Sequence, residues 1–130
     1  MRILILEDDL ETLTKLFENL TRLENDISKQ ISITVYSEYR QVEEHLNTGT
    51  KERFDFILLD RDCKLGGSFH VLDLNKFSSS IIIGISSVPK YNQELREKGV
   101  KLIVDKDYKQ LDKFAGEVIQ TIKQNLINIA

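Results

Sequence analysis

The stretch FDFILLD, residues 54–60, contains four consecutive apolar residues, 56 to 59, and ends in an aspartate. A short apolar run without polar alternation is typical of a strand that is buried on both faces, as in parallel sheets. A second run of this kind, ILIL at residues 3–6, is followed by Glu7 and Asp8. The two runs predict buried strands whose carboxyl ends carry acids.

The same pattern extends along the chain, where apolar runs alternate with stretches of helical periodicity. The other predicted strands cover residues 31–36, 81–85 and 102–104, and the predicted helices cover residues 10–23, 38–46, 69–77, 91–98 and 111–126. This alternation predicts an α/β fold with a five-stranded parallel sheet and helices on both faces. We predict one domain over residues 1–130, since no linker or low-complexity segment interrupts the pattern.

The composition indicates an ordinary globular domain, with 41% hydrophobic and 30% charged residues and a formal net charge of −3. A mildly acidic chain lacks the concentrated basic face that general nucleic-acid binding needs. The apolar run at residues 3–6 is too short for a signal peptide, and none approaches the ~20 residues of a membrane span. We therefore expect a cytoplasmic protein that binds neither membranes nor nucleic acid directly.

Polar side chains follow four of the predicted strands. Glu7 and Asp8 follow the first strand, Asp60 the third, Ser86 the fourth and Lys106 the fifth. The carboxyl ends of parallel strands meet at one rim, where α/β proteins bind ligands. Carboxylates that lie close together repel each other when ionised, and a bound cation removes that penalty. Mg²⁺ binds oxygen ligands and often coordinates phosphate as well. The residues at this rim therefore predict a binding site for Mg²⁺ and a phosphoryl group. One of the carboxylates can be the acceptor of that phosphoryl group.

This arrangement resembles the receiver domain of two-component response regulators, over essentially the whole chain. The segments that carry the resemblance are residues 3–8, 54–60, 82–87 and 99–106. The resemblance implies the (βα)5 flavodoxin-like receiver fold. It also implies a phosphoryl donor, either a histidine kinase or a phosphotransfer protein, and no enzymatic activity beyond slow self-dephosphorylation.

The resemblance assigns a role to each residue at the rim. Asp60 would be the phosphoryl acceptor. Ser86 and Lys106 would contact the phosphoryl group, and no further catalytic residue is implied. The implied Mg²⁺ ligands are Glu7, Asp8, Asp60 and the backbone carbonyl of Asp62.

Two positions depart from the receiver pattern. Asp107 follows the lysine where the family usually has proline, and Ile103 stands where it often has tyrosine or phenylalanine. Without that aromatic ring, we expect phosphorylation to change the face of the fourth helix, fifth strand and fifth helix less than usual. We expect no output domain after the last helix, and we therefore expect the signal to pass through contacts with an unidentified downstream protein.

Two other functions fit parts of the pattern. The departures are compatible with a pseudo-receiver, a binding module that has the fold but is not phosphorylated. A Toprim-type Mg²⁺-dependent nucleic-acid enzyme would use Glu7 with Asp60 and Asp62. Such sites usually place glycine after the glutamate, whereas Asp8 follows here, and they leave Lys106 without a role.

Overall fold

Five strands form one parallel sheet in the order β2-β1-β3-β4-β5. The computed structural model describes residues 1–49 and 51–126. The strands are β1 (Arg2–Leu6), β2 (Ser32–Tyr36), β3 (Phe56–Leu59), β4 (Ile82–Gly84) and β5 (Leu102–Ile103). The fold class predicted from the alternation of strands and helices is confirmed, and the acids after β1 and β3 lie on neighbouring strands.

The helices in the described part of the chain are α1 (Leu10–Ile27), α2 (Tyr39–Gln41), α3 (Pro89–Glu97) and α4 (Leu111–Asn125). A π-helical turn, Val42–Leu46, continues α2. Asp9 caps α1, because its carboxylate accepts a hydrogen bond from the backbone N–H of Thr12 at 3.0 Å. None of the described helices combines the length and apolar character needed to cross a membrane.

The two faces of the sheet are covered differently. Alternate strand residues such as Ile5 and Leu58 pack under α1 and α4 on one face. Their neighbours, such as Leu6 and Leu59, pack under the π-helical turn, α3 and the connection from β3 to β4 on the other face. Both faces are buried, which explains why the central strands are apolar without alternation.

The helix predicted over residues 69–77 is wrong. A single 3₁₀ turn, Phe69–Val71, lies in this range, and non-helical turns and a second 3₁₀ turn, Ser79–Ile81, lead on to β4. The apolar residues that suggested a helix are nevertheless buried against the sheet; they are Phe69, Leu72 and Phe77. Their spacing reflects burial in an irregular crossover and not a helical face.

Asn47, at the end of the π-helical turn, holds this crossover in place. Its side-chain amide donates a hydrogen bond to the carbonyl of Val71 at 2.7 Å. Its amide oxygen accepts one from the backbone N–H of Asp73 at 2.8 Å. These bonds satisfy backbone groups that a helix would otherwise satisfy internally. The contact joins residues distant in sequence, so local periodicity does not predict it.

Candidate functional site

Backbone hydrogen bonds continue the sheet beyond its strands and fix the start of each loop at the rim. The N–H of Asp60 donates to the carbonyl of Leu6 at 3.1 Å. The N–H of Lys106 donates to the carbonyl of Ser86 at 3.1 Å. The candidate residues that follow β1, β3, β4 and β5 are therefore held at the same edge of the sheet, as the parallel arrangement requires.

Lys106 lies between two carboxylates. Its Nζ contacts Oε1 of Glu7 and lies 3.1 Å from Oδ2 of Asp60. The side chains of Lys106 and Glu7 have no solvent exposure, and that of Asp60 is only 5% exposed. A buried charge without a partner is strongly destabilising, so each of these groups depends on the others. The structure thus brings three of the predicted site residues together in one buried cluster.

Burial shifts the ionisation of all three groups. It raises the pKa of Glu7 to about 8, and the negative charge of Asp60 adds to this. Burial also raises the pKa of Asp60, although the charge of Lys106 opposes the change. Burial disfavours the ammonium of Lys106, but the charges of Glu7 and Asp60 outweigh it and raise the lysine pKa. When all three are charged, the cluster has an excess of negative charge, which a cation would relieve.

Asp8 and Asp62 lie toward the surface. Asp8 is partly buried, and its Oδ2 accepts a hydrogen bond from the backbone N–H of Lys64. Asp62 is exposed and forms an isolated antiparallel bridge with Ser68. Among residues 1–49 and 51–126, no group of three His, Cys, Asp or Glu side chains is arranged to hold a metal ion. Mg²⁺ does not require such a cage, because it commonly binds one or two carboxylates and keeps several waters.

The donor chemistry of the rim fits Mg²⁺. The thiol of Cys63 has its pKa raised to about 11, first by burial and then by the charge of Asp8, with a further contribution from Asp60. Asp8 accepts a hydrogen bond from the backbone of Lys64 in the loop that follows Asp60, so both acids supply hard oxygen donors at this loop. Glu7 is oriented differently, because it contacts Lys106 and accepts two backbone N–H hydrogen bonds at 3.0 and 3.1 Å. Glu7 thus lies on the lysine side of the rim.

Ser86 is fully buried at the end of β4. Its hydroxyl oxygen accepts a hydrogen bond from the N–H of Val88 at 3.1 Å. The buried side chain of Asn92 bonds both the N–H and the carbonyl of Ser86, at 3.2 and 3.0 Å. Sequence reasoning included Ser86 but missed Asn92. The available signal was its spacing, since Asn92 lies three residues before the buried Leu95 on the same helix face.

An aromatic ring lies beside the lysine, but not at the position of Ile103. The ring centroid of Tyr108 is 5.1 Å from Nζ of Lys106, and Tyr108 is 55% exposed. Ile103 instead packs on Gly84, where an added Cβ would lie 2.7 Å from Cδ1 of Ile103. The isoleucine thus fills space above a glycine of β4, and the aromatic group at the rim comes from the loop after β5.

Similarity to known proteins is found at the level of the fold. No protein-family model matches the sequence, and no match is found among curated proteins. Among solved structures, the phosphorylated cyanobacterial phytochrome response regulator RcpA has a TM-score of 0.71 at 15% identity. The match covers 99% of this chain and 95% of that chain. The chain has the receiver fold.

Other response regulators share this receiver fold. A receiver domain from Rhodospirillum rubrum has a TM-score of 0.70 at 12% identity, over 95% of this chain and 94% of that one. The Mn²⁺-bound form of the response regulator Rcp1 has a TM-score of 0.66 at 16% identity, over 90% of each chain. The resemblance to receiver domains is confirmed at the level of the fold, and the chemistry of this chain rests on its own rim residues.

Proposed function

We propose that this chain is a response-regulator receiver domain that accepts a phosphoryl group on Asp60 with Mg²⁺ bound. The supporting observation is the position of the Asp60 carboxylate, which follows the central strand β3 and lies 3.1 Å from the ammonium of Lys106 in a buried site. The proposal treats residues 1–130 as one cytoplasmic domain that signals through protein contacts and not through a reaction of its own.

The rim residues have complementary parts in this transfer. A carboxylate oxygen of Asp60 forms a bond to phosphorus while the bond from phosphorus to the donor breaks, and the electron pair leaves with the donor. Lys106 neutralises charge on the phosphoryl oxygens, and the hydroxyl of Ser86 donates a hydrogen bond to one of them. Because the charged carboxylate of Asp60 is replaced by an acyl phosphate whose negative charge lies on the phosphoryl oxygens, Lys106 exchanges a carboxylate partner for a phosphoryl partner.

The metal belongs to the same proposal. Glu7, Asp8, Asp60 and the backbone carbonyl of Asp62 would hold Mg²⁺, and Glu7 also pairs with Lys106. Bound Mg²⁺ supplies positive charge against the phosphoryl oxygens. The structural neighbours include phytochrome response regulators, which supports a histidine kinase or a phosphotransfer protein as the donor class.

Intact-mass measurement after treatment with acetyl phosphate and Mg²⁺ tests the proposal. Wild type should gain one phosphoryl group, and Asp60→Asn should gain none while its circular dichroism spectrum stays unchanged. Asp26→Asn, at an exposed position of α1, is the matched control and should behave like wild type. Equal phosphorylation of wild type and Asp60→Asn would show that the acceptor is a different residue.

A phosphorylation-independent pseudo-receiver is the second candidate, and the low exposure of Asp60 favours it. Beryllofluoride mimics the phosphoryl group and distinguishes the two functions. A receiver should bind it only with Mg²⁺ present, whereas a pseudo-receiver should not bind it at all. The Toprim-type alternative has less support, because it gives no role to Lys106, which contacts Glu7 and lies 3.1 Å from Asp60 in the buried cluster.

A further inference from the structure

Asn92 is the buried polar residue of α3, and its side chain makes three hydrogen bonds. Its Oδ1 accepts from the N–H of Ser86 at 3.2 Å. Its Nδ2 donates to the carbonyl of Ser86 at 3.0 Å and to Oδ1 of Asp105 at 2.7 Å. The reversed amide would put its oxygen against a carbonyl and a carboxylate, so the bonding partners define one orientation.

These three bonds join elements that lie far apart in sequence. They connect α3 with Ser86, two residues after β4, and with the segment after β5. The carbonyl of Ser86 also accepts the N–H of Lys106 at 3.1 Å. Asn92 is therefore bonded directly to Ser86 and lies one residue away, through Asp105, from Lys106.

We propose that Asn92 is a positioning residue that holds Ser86 for contact with the phosphoryl group and connects α3 to the state of Asp60. Both backbone polar groups of Ser86 are bonded to a single side chain of α3. A shift of the Ser86 backbone toward Asp60 must break these buried bonds or move the helix with it. Breaking them would leave buried polar groups unsatisfied, which favours movement of the helix.

This inference rests on the proposed function and adds a route from the acceptor to α3. The route consists of hydrogen bonds and needs no aromatic ring at Ile103. It also predicts that the effect of Asn92 on phosphorylation requires the Ser86 hydroxyl. A side chain that only stabilised the fold would act whether or not that hydroxyl was present.

Amide hydrogen exchange measures the holding role without any phosphorylation. In Asn92→Ala, the Ser86 N–H loses the buried hydrogen bond that it donates to Asn92. It should therefore exchange at least about tenfold faster than in wild type, the change expected for the free energy of one hydrogen bond. The matched control is Gln93→Ala, which removes an exposed amide side chain from the same helix and should leave this rate unchanged. Equal exchange in Asn92→Ala and wild type would overturn the inference.

A double-mutant cycle on the rate of phosphorylation by acetyl phosphate measures the positioning role. Ser86→Ala and Asn92→Ala should each slow the reaction about tenfold, the rate equivalent of one charge-assisted hydrogen bond. The double variant should be no slower than Ser86→Ala alone, because Asn92 acts through the hydroxyl. If the double variant is slowed by the product of the two single effects, about a hundredfold, the inference is overturned.

The outcomes separate this inference from the proposed function. If wild type is phosphorylated but the cycle is multiplicative, the positioning role fails and the proposed function stands. If wild type gains no phosphoryl group, the proposed function fails, and with it any role of Asn92 beyond holding the Ser86 backbone. Should Asn92→Ala fail to fold, Asn92→Ser removes the amide but keeps a small polar side chain, and it takes the same place in the cycle.

Discussion

Two lysines of this molecule each lie between two carboxylates, and they differ mainly in burial. Lys106 contacts Glu7 and lies 3.1 Å from Asp60, with its side chain fully buried. Lys15 on α1 lies 3.1 Å from Asp112 of α4 and 3.7 Å from Glu18, with its own side chain 33% exposed and that of Asp112 80% exposed.

Both clusters pair one lysine with two carboxylates, but their exposure to water determines what the loss of one partner costs. Exposed ion pairs are screened by solvent and salt, and removing one partner leaves charges that water can solvate. Buried charges depend on each other, because no solvent replaces a lost partner. The surface cluster therefore adds little to the fold, whereas the buried cluster links stability, ionisation and ligand binding at the rim.

The largest effect is expected when the buried lysine, Lys106, loses its charge. Lys106→Met should lower the free energy of unfolding by about 4 kcal/mol near pH 7, since the Asp60 carboxylate loses its buried counter-charge and Glu7 loses its hydrogen-bond partner. Urea denaturation followed by circular dichroism measures it. The control is Lys101→Met, which removes an exposed lysine near the same strand. A similar, small loss in both variants would mean that the buried carboxylates do not depend on the ammonium.

The second difference is a dependence of stability on pH. The pKa of Glu7 is raised by burial from 4.5 to about 8, so the folded state favours its neutral form. The stability that this provides is full below about pH 4.5 and is lost as pH rises through about 8. Wild type should lose up to about 1.4 kcal/mol per pH unit in that window, and Glu7→Gln should remove this slope.

Unfolding free energies measured at several pH values across that window test the slope. Glu18→Gln, at the exposed cluster, is the matched control and should keep the slope of wild type. A wild-type stability that rises with pH over this range would contradict the raised pKa of Glu7.

A smaller effect is expected from Mg²⁺. At ten times its dissociation constant, the ion should stabilise wild type by about 1.4 kcal/mol. Asp8→Asn should lose most of this gain, because it removes a charged ligand from the rim, while Glu11→Gln, an exposed acid on α1, should keep it. Titration calorimetry and thermal unfolding with and without Mg²⁺ provide the measurement. Unchanged affinity in Asp8→Asn would exclude Asp8 as a ligand.

The smallest effect is expected at the surface cluster. Lys15→Met should change the melting temperature by less than about 2 °C, because its partners Asp112 and Glu18 remain solvated. The comparison is best made at low and high salt, since any contribution of an exposed cluster should disappear when salt is added. A shift as large as that of Lys106→Met would show that the contact between α1 and α4 depends on this lysine.

Much of the fold could be predicted from the sequence, because burial on both faces leaves a direct mark on composition. The third strand was predicted at Phe56–Leu59, where the structure has β3. Asp9, the third acid after the first strand, caps α1, as acids directly before a helix often do. These features depend on local sequence, where propensity and periodicity act within a few residues.

The parts that could not be predicted depend on contacts between distant segments. The crossover at residues 69–77 has helical spacing, but the amide of Asn47 bonds its backbone from another element. The candidate residues at the rim could be identified because each follows a predicted strand. The hydrogen bonds of Asn92 to Ser86 and the contact of the Tyr108 ring with Lys106 depend on which elements meet in space. Single polar or aromatic residues of this kind have no periodic pattern to reveal them.

The order of the strands has a practical meaning for anyone who concentrates this protein. In the sheet formed by the described residues, the two outer strands have an edge without a neighbouring strand, and β5 at one edge has just two residues, Leu102–Ile103. The opposite edge, β2, has five residues, SITVY, without a charge among them. Long uncharged edges are the ones through which sheets of separate molecules join, and lysine or proline on an edge prevents this. Self-association in crowded solution would therefore start at β2.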